Sequence, residues 1–129
     1  MKELKPFEVW LQRANSNLLI AQRGTGEGIY FEDLCFEAQQ AAEKALKALL
    51  LYLSGNYPKQ HAFTLLLSQL EEYLTLPDAI KEVVELSDYA VQTRYPGDYY
   101  PVSEAEYRRA LELARRVINW VEIQIQRDK

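Results

Sequence analysis

The groupings in this 129-residue sequence most suggestive of chemistry fall in two loops. One loop reads Thr93-Arg94-Tyr95-Pro96-Gly97-Asp98-Tyr99-Tyr100-Pro101 and sets a single arginine among three tyrosines. A guanidinium fork grips phosphate through two parallel hydrogen bonds, and an exposed phenol ring offers a face on which a base stacks. The plainer use of the same residues is that Asp98 neutralises Arg94 while the rings seal the core. The other loop, residues 56–61, holds Lys59 and His61, the one histidine of the chain. An imidazole titrates near neutral pH and so is able to carry a proton. A lone histidine before a helix serves equally as a local hydrogen-bonding group.

Other groupings are weaker. Gly24-Thr25-Gly26-Glu27-Gly28 alternates glycines, but a helical pattern rather than a strand precedes it and Glu27 lies inside it, so it reads as a flexible connector and not as a phosphate loop. Cys35 sits on an apolar stripe and His61 has no nucleophile near it in sequence, which excludes a catalytic triad. Arg108, Glu112 and Arg115 share a helix face that reads first as solvated surface and second as a phosphate track. Glu71 with Glu72, and Glu82 with Glu85, fall on polar faces and read as solvating groups.

Apolar residues at a period of 3.6 dominate the chain, and no strand alternation competes with them. The first helix is expected over residues 6–22, with Pro6 in the first turn, where its missing N–H costs nothing. Its stripe is Phe7, Trp10, Leu11, Ala14, Leu18 and Ala21. The second is expected over 30–54, ended by Gly55, with alanines in the middle of its stripe and a helix-supporting pair, Glu43 and Lys47. A short third helix over 62–74 and a fourth over 77–92 follow, the fourth with Ile80, Val83, Val84, Ser87 and Val91 inward. Ser103 and Glu106 form a capping box that opens the last helix, which runs to about residue 126. Short connections favour antiparallel neighbours. The fold class is therefore all-α, an up-and-down antiparallel bundle of about five helices in one domain, 1–129. Alternating directions send the last helix the same way as the first. They collect Lys59, His61, Arg94, Tyr95, Tyr99 and Tyr100 at the end where the first helix begins, opposite the glycine connector.

Composition sets limits on function. Hydrophobic residues make up 48% and charged residues 26%, the balance of a globular chain able to bury a core. One cysteine excludes a disulfide framework, and no Cys/His cluster has zinc-ligand spacing. No metal or other cofactor is implied. A net charge of −4 gives no global attraction to nucleic acid or anionic membrane, so any such contact depends on a local cluster. With no signal segment or apolar run of spanning length, a cytoplasmic location is expected. Leu50, Leu51 and Tyr52 on the second helix, with Leu113 and Trp120 on the last, exceed what one stripe needs and point to a homodimer.

The stretch from Cys35 to Leu50, CFEAQQAAEKALKALL, closely resembles the signature helix of the HEPN domain family. His61 and then Thr93-Arg94-Tyr95-Pro96 match further landmarks of that family, and the likeness covers nearly the whole chain. The resemblance implies a helical bundle, usually dimeric. Many small prokaryotic members are companions of a minimal nucleotidyltransferase in modules regarded as toxin–antitoxin pairs. Others are metal-independent ribonucleases marked by an arginine followed, after four to six residues, by a histidine. Arg94 matches that arginine, while the histidine position falls on Tyr99, Tyr100 or Pro101. Tyrosine, with an ordinary pKa of about 10, is a poor base near neutrality. The reading is a nucleotide- or RNA-binding module with Arg94, Tyr95, Tyr99, Tyr100, His61 and Lys59 as ligand-binding residues. The alternatives are a ribonuclease toxin with Arg94 and His61 as catalytic candidates, and a purely structural scaffold.

Overall fold

Alanine spacing determines which helix lies at the centre. The computed structural model describes residues 3–23, 26, 28–59, 61–89 and 101–127, and the expectations for Arg94, Tyr95, Tyr99 and Tyr100 lie outside them. Five α-helices form: α1 (Pro6–Arg23), α2 (Phe31–Ser54), α3 (Phe63–Leu70), α4 (Asp78–Lys81) and α5 (Glu104–Arg127). No strand occurs among the described residues. In α2, Ala38, Ala41, Ala42, Ala45 and Ala48 are completely buried. Their small side chains let neighbouring helices approach on several sides, so α2 is enclosed nearly all round through its middle.

The ends of the elements follow local chemistry. Gly55 closes α2 in the left-handed region, φ +78°, and donates its N–H to Leu51 O at 2.8 Å. Only glycine takes that conformation without a Cβ penalty. The capping box at α5 forms as read: Glu106 N–H donates to Ser103 Oγ at 3.1 Å, and Ser103 N–H donates to Glu106 Oε1 at 3.2 Å.

Two expectations are corrected here. The fourth helix is α-helical only over Asp78–Lys81 among the described residues, and its expected end, 90–92 with Val91, lies outside them. After α4 it tightens into a 3₁₀ segment, Glu82–Tyr89. Ile80, Val83 and Leu86 are buried and Tyr89 packs on the core, whereas Val84 and Ser87 face outward. Apolar residues three apart line up on a helix of three residues per turn, so this spacing suits the tighter form. The direction of the last helix is also reversed. Phe31 stacks on Tyr107 with ring centroids 5.2 Å apart, and Tyr107 Oη donates to Ala21 O at 2.6 Å. The start of α5 therefore lies beside the start of α2 and the end of α1. At the opposite end Phe7 meets Tyr52 edge-on at 4.8 Å and shares a groove with Ile125. Thus α5 runs with α2, and both run against α1. The cause is the connector after Gly55. It climbs back along α2 until His61 reaches Glu43 and Lys47, a rise that an extended chain at ~3.3 Å per residue covers easily. Helix α3 then descends from that level, which inverts the sense of every later element.

The homodimer argument from surplus apolar residues is corrected too. Leu50, Leu51 and Leu113 are buried inside the chain, and Tyr52 and Trp120 pack against the core. No helix among the described residues is long and apolar enough to cross a membrane.

An ion network ties α5 to the 3₁₀ segment. Arg109 contacts Glu85 at 2.8 Å, Glu112 at 3.1 Å and Glu82 at 3.3 Å, while Arg116 contacts Glu82 at 2.9 Å and donates to Ala79 O at 2.8 Å. Glu82 and Glu85 therefore do more than solvate. Hydrogen bonds from Arg116 and then Arg109 hold Glu82 below the usual carboxylate range, and the bond from Arg109 does the same for Glu85. Depressed carboxyl pKa values add stability that is fully present above the unfolded value of about 4.3 and is lost as pH falls through the folded values. Melting of the parent and of Arg109→Met is the check, followed from neutrality down to about two units below that reference value. The parent is expected to be the more stable at neutrality, and the difference to vanish toward the acid limit. A pH-independent difference would contradict this.

Candidate functional site

One face of α2 carries a run of polar residues where a packed helix has no need of them. Gln39, Glu43 and Lys47 are 2%, 8% and 4% exposed. Their spacing of four stacks them along the helix. Burial of this kind is tolerated only when every polar group is paired. Here Gln40 Nε2 donates to Gln39 Oε1 at 2.8 Å, and Gln39 Nε2 donates to Glu43 Oε1 at 3.0 Å. Lys47 Nζ donates to Glu43 Oε2 at 2.6 Å. A carboxylate only accepts, so the direction of both amides is fixed by Glu43.

The climbing connector brings His61 onto this relay. Its Nδ1 lies 2.8 Å from Lys47 Nζ and 3.4 Å from Glu43 Oε2. An ammonium only donates, so in this geometry Nδ1 accepts and the imidazole proton sits on Nε2. The side chain is 79% exposed, which leaves Nε2–H open to solvent. Helix α1 supplies Trp10, whose ring centre is 5.6 Å from Lys47 Nζ, a cation–π distance. Next to it Lys44 Nζ donates to Asn17 Oδ1 at 2.8 Å, and Asn17 Nδ2 donates to Glu37 at 2.7 Å. Burial, and then the charge of Arg13, push the Lys44 ammonium below its ordinary pKa.

These groups surround a cleft of about 610 Å³ between α1, α2, the connector and the 3₁₀ segment, lined by Trp10, Gln39, Gln40, Glu43, Lys44, Lys47, His61, Ala62, Phe63 and Ser87. That volume is in the range of small-molecule sites. A groove of similar volume, about 600 Å³, runs between α1 and α5. Its lining carries two carboxylates, Glu8 and Glu122, with neutral polar and apolar residues and no cation, so it does not suit an anion. Among the described residues no cluster of His, Cys, Asp or Glu could hold a metal ion.

A sequence model of the HEPN domain matches residues 7–124. The chain belongs to the HEPN domain family. Among solved structures it is similar to TT1696 from Thermus thermophilus, at 36% identity and a TM-score of 0.79, covering 92% of this chain and 98% of that one. It is also similar to ST0689, an archaeal HEPN homologue, at 31% identity and a TM-score of 0.73, covering 95% and 99%. No curated protein matches it.

In this HEPN chain the residues singled out from sequence do not all share one end. His61 lines the α2 cleft at the middle of the helix. Lys59, exposed, opens instead on a separate cleft of about 340 Å³ with Asn56, Tyr57 and Tyr73, near the end of α2. The described residues bracketing 90–100 are not at the end where α1 begins. Val102 N–H donates to Glu32 in the first turn of α2, and Ser87, just before the bracket, lines the His61 cleft. On α5, Arg108 pairs with Glu104 at 2.6 Å, and Arg109 and Arg116 are held by the network above. A phosphate track along that helix therefore loses most of its cations. Sequence reasoning missed the cleft itself, with Trp10, Gln40, Lys44 and Lys47. The available signal was Gln39, a polar residue on the packed face of the HEPN signature helix.

Proposed function

We propose that this HEPN chain, acting as one domain in the cytoplasm, binds nucleotide or RNA phosphate and is the companion of a minimal nucleotidyltransferase in a toxin–antitoxin-like pair. The observation that carries the reading is the α2 cleft. It collects Lys44, Lys47 and His61 beside the Trp10 ring in a chain whose net charge is −4. A local cluster sets the local potential whatever the total. The proposal adds the guanidinium of Arg94, seven positions after the cleft residue Ser87 in the sequence, as a further phosphate contact. Tyr95, Tyr99 and Tyr100 would supply stacking surface beside it. A homodimer is part of the proposal and is supported by the α1–α5 groove, beside which Leu4, Leu19 and Ile123 are exposed. The ribonuclease alternative has one observation in its favour, the open Nε2–H of His61 held in place through Nδ1.

Purification of the tagged chain from its native host tests the partnership. A nucleotidyltransferase chain and a nucleotide or RNA are expected to come with it, each identified by mass spectrometry. Recovery of the chain alone, free of both, would overturn the proposal.

A further inference from the structure

We propose that the α1–α5 face docks a second copy of this chain turned end for end, with Arg115 of each copy paired to Glu122 of the other. This rests on the reading that the chain is a homodimer, and it deepens that reading by naming the surface, the orientation and the ion pair that sets it.

Two contacts set how α1 and α5 lie together. Asn15 Nδ2 donates to Glu122 at 3.5 Å, and the Gln22 side-chain oxygen accepts from Arg115 Nε at 2.9 Å and Nη2 at 3.2 Å. Asn15 and Gln22 are seven positions apart, as are Arg115 and Glu122, so the two helices run antiparallel in step. Seven residues make two turns, about 10.5 Å, which puts both contacts on one stripe of the surface. Charge is sorted along that stripe. Toward the end of α5, Glu8 and Glu122 line the α1–α5 groove. Toward its start a further groove of about 560 Å³ is lined by Arg115, Arg108 and Glu104, of which the last two neutralise each other. Arg115 and Glu122 are different. Among the described residues each is held only by a neutral amide, so each keeps its charge for an outside partner. Leu19, 46% exposed, stands on α1 midway between them.

A surface positive at one end and negative at the other is complementary to itself when one copy is reversed. A two-fold axis across the stripe, midway between Arg115 and Glu122, sets each guanidinium against the carboxylate of the second copy, twice over by symmetry. The same axis brings Leu19 against Leu19 of the second copy, an apolar contact at the centre between the two ion pairs. An axis along the helices would instead bring basic end to basic end and acidic end to acidic end, and like charges in contact oppose association. No residue lining either groove of this face lines the His61 cleft, so docking leaves that cleft open in both copies.

Sedimentation equilibrium of the purified chain measures the dimer dissociation constant, and circular dichroism checks that each variant is folded. Arg115→Glu and Glu122→Arg each set like charges together at two places, and each is expected to weaken the dimer at least about tenfold. The double variant, Arg115→Glu with Glu122→Arg, exchanges the charges and is expected to regain most of the parent's affinity. Leu19→Arg sets two like charges together at the axis and is expected to weaken the dimer at least about tenfold without touching the ion pair. If the parent is dimeric and the single variants remain equally so, or the double variant is no tighter than they are, the inference falls and the homodimer stands. If the parent sediments as a monomer throughout, both fall.

Discussion

Glu43→Ala is expected to lower unfolding stability by about 3–5 kcal/mol, the usual loss when one member of a buried ion pair is removed. Lys47 is 4% exposed, and its shortest contact is the 2.6 Å bond to Glu43. Without that carboxylate its charge stays in the interior with only His61 Nδ1 as acceptor, and Gln39 Nε2 loses its partner as well. Typical domains have only about 5–15 kcal/mol in total, so the variant should sit near the edge of folding. The companion experiment replaces both members, Glu43→Leu with Lys47→Met. No charge is then stranded, and the double variant is expected to recover most of the loss, as buried pairs replaced by apolar residues commonly do. Urea unfolding followed by circular dichroism measures both. A single-variant loss below about 1 kcal/mol, the value of an exposed pair, would show that water reaches the pair and that the relay is not buried.

That pair also shows what the sequence revealed and what it hid. Glu43 and Lys47 have the spacing and order of a surface pair that supports a helix. Nothing in the local pattern says that α1, α3, α5 and the 3₁₀ segment enclose α2 at that level, because enclosure is a property of the assembled bundle. The alanines gave the close approach, and Gln39 gave the one hint of a buried polar relay. The helix caps at Gly55 and Ser103 were legible because capping is local chemistry. The climb of the connector before α3 was not. Its few residues cost nothing in propensity, yet they decide whether α5 runs up or down, and a topology argued from alternating helices counts elements and not connectors. The 3₁₀ segment is a milder case. Ile80, Val83, Leu86 and Tyr89 recur every three residues, but Val84 and Val91 allowed a period of 3.6 to be drawn through the same stretch.

Of the proposed site, His61 was legible as a group able to exchange protons or hydrogen bonds, and its true setting became visible only with the chain folded back on α2. Lys59, two positions away, opens on different surroundings. Lys59 lies beside the end of α2 and His61 beside its middle, and sequence proximity alone had grouped them.

The central proposal is that this HEPN chain holds nucleotide or RNA phosphate, with Arg94 among the groups that take it, and does not cut RNA by itself. The most direct measurement incubates the purified chain, and its Arg94→Ala variant, with mixed single-stranded RNA in the presence of chelator. Retention and fragment lengths are followed in the same samples. The parent is expected to retain RNA and leave it intact. Removing a charge-assisted phosphate contact costs about 1.5–3 kcal/mol, so Arg94→Ala is expected to bind about 10- to 100-fold more weakly with no change in melting temperature. Cleavage by the parent that disappears in the variant would contradict the account and establish the ribonuclease in its place. Equal retention by both proteins would remove Arg94 from the site.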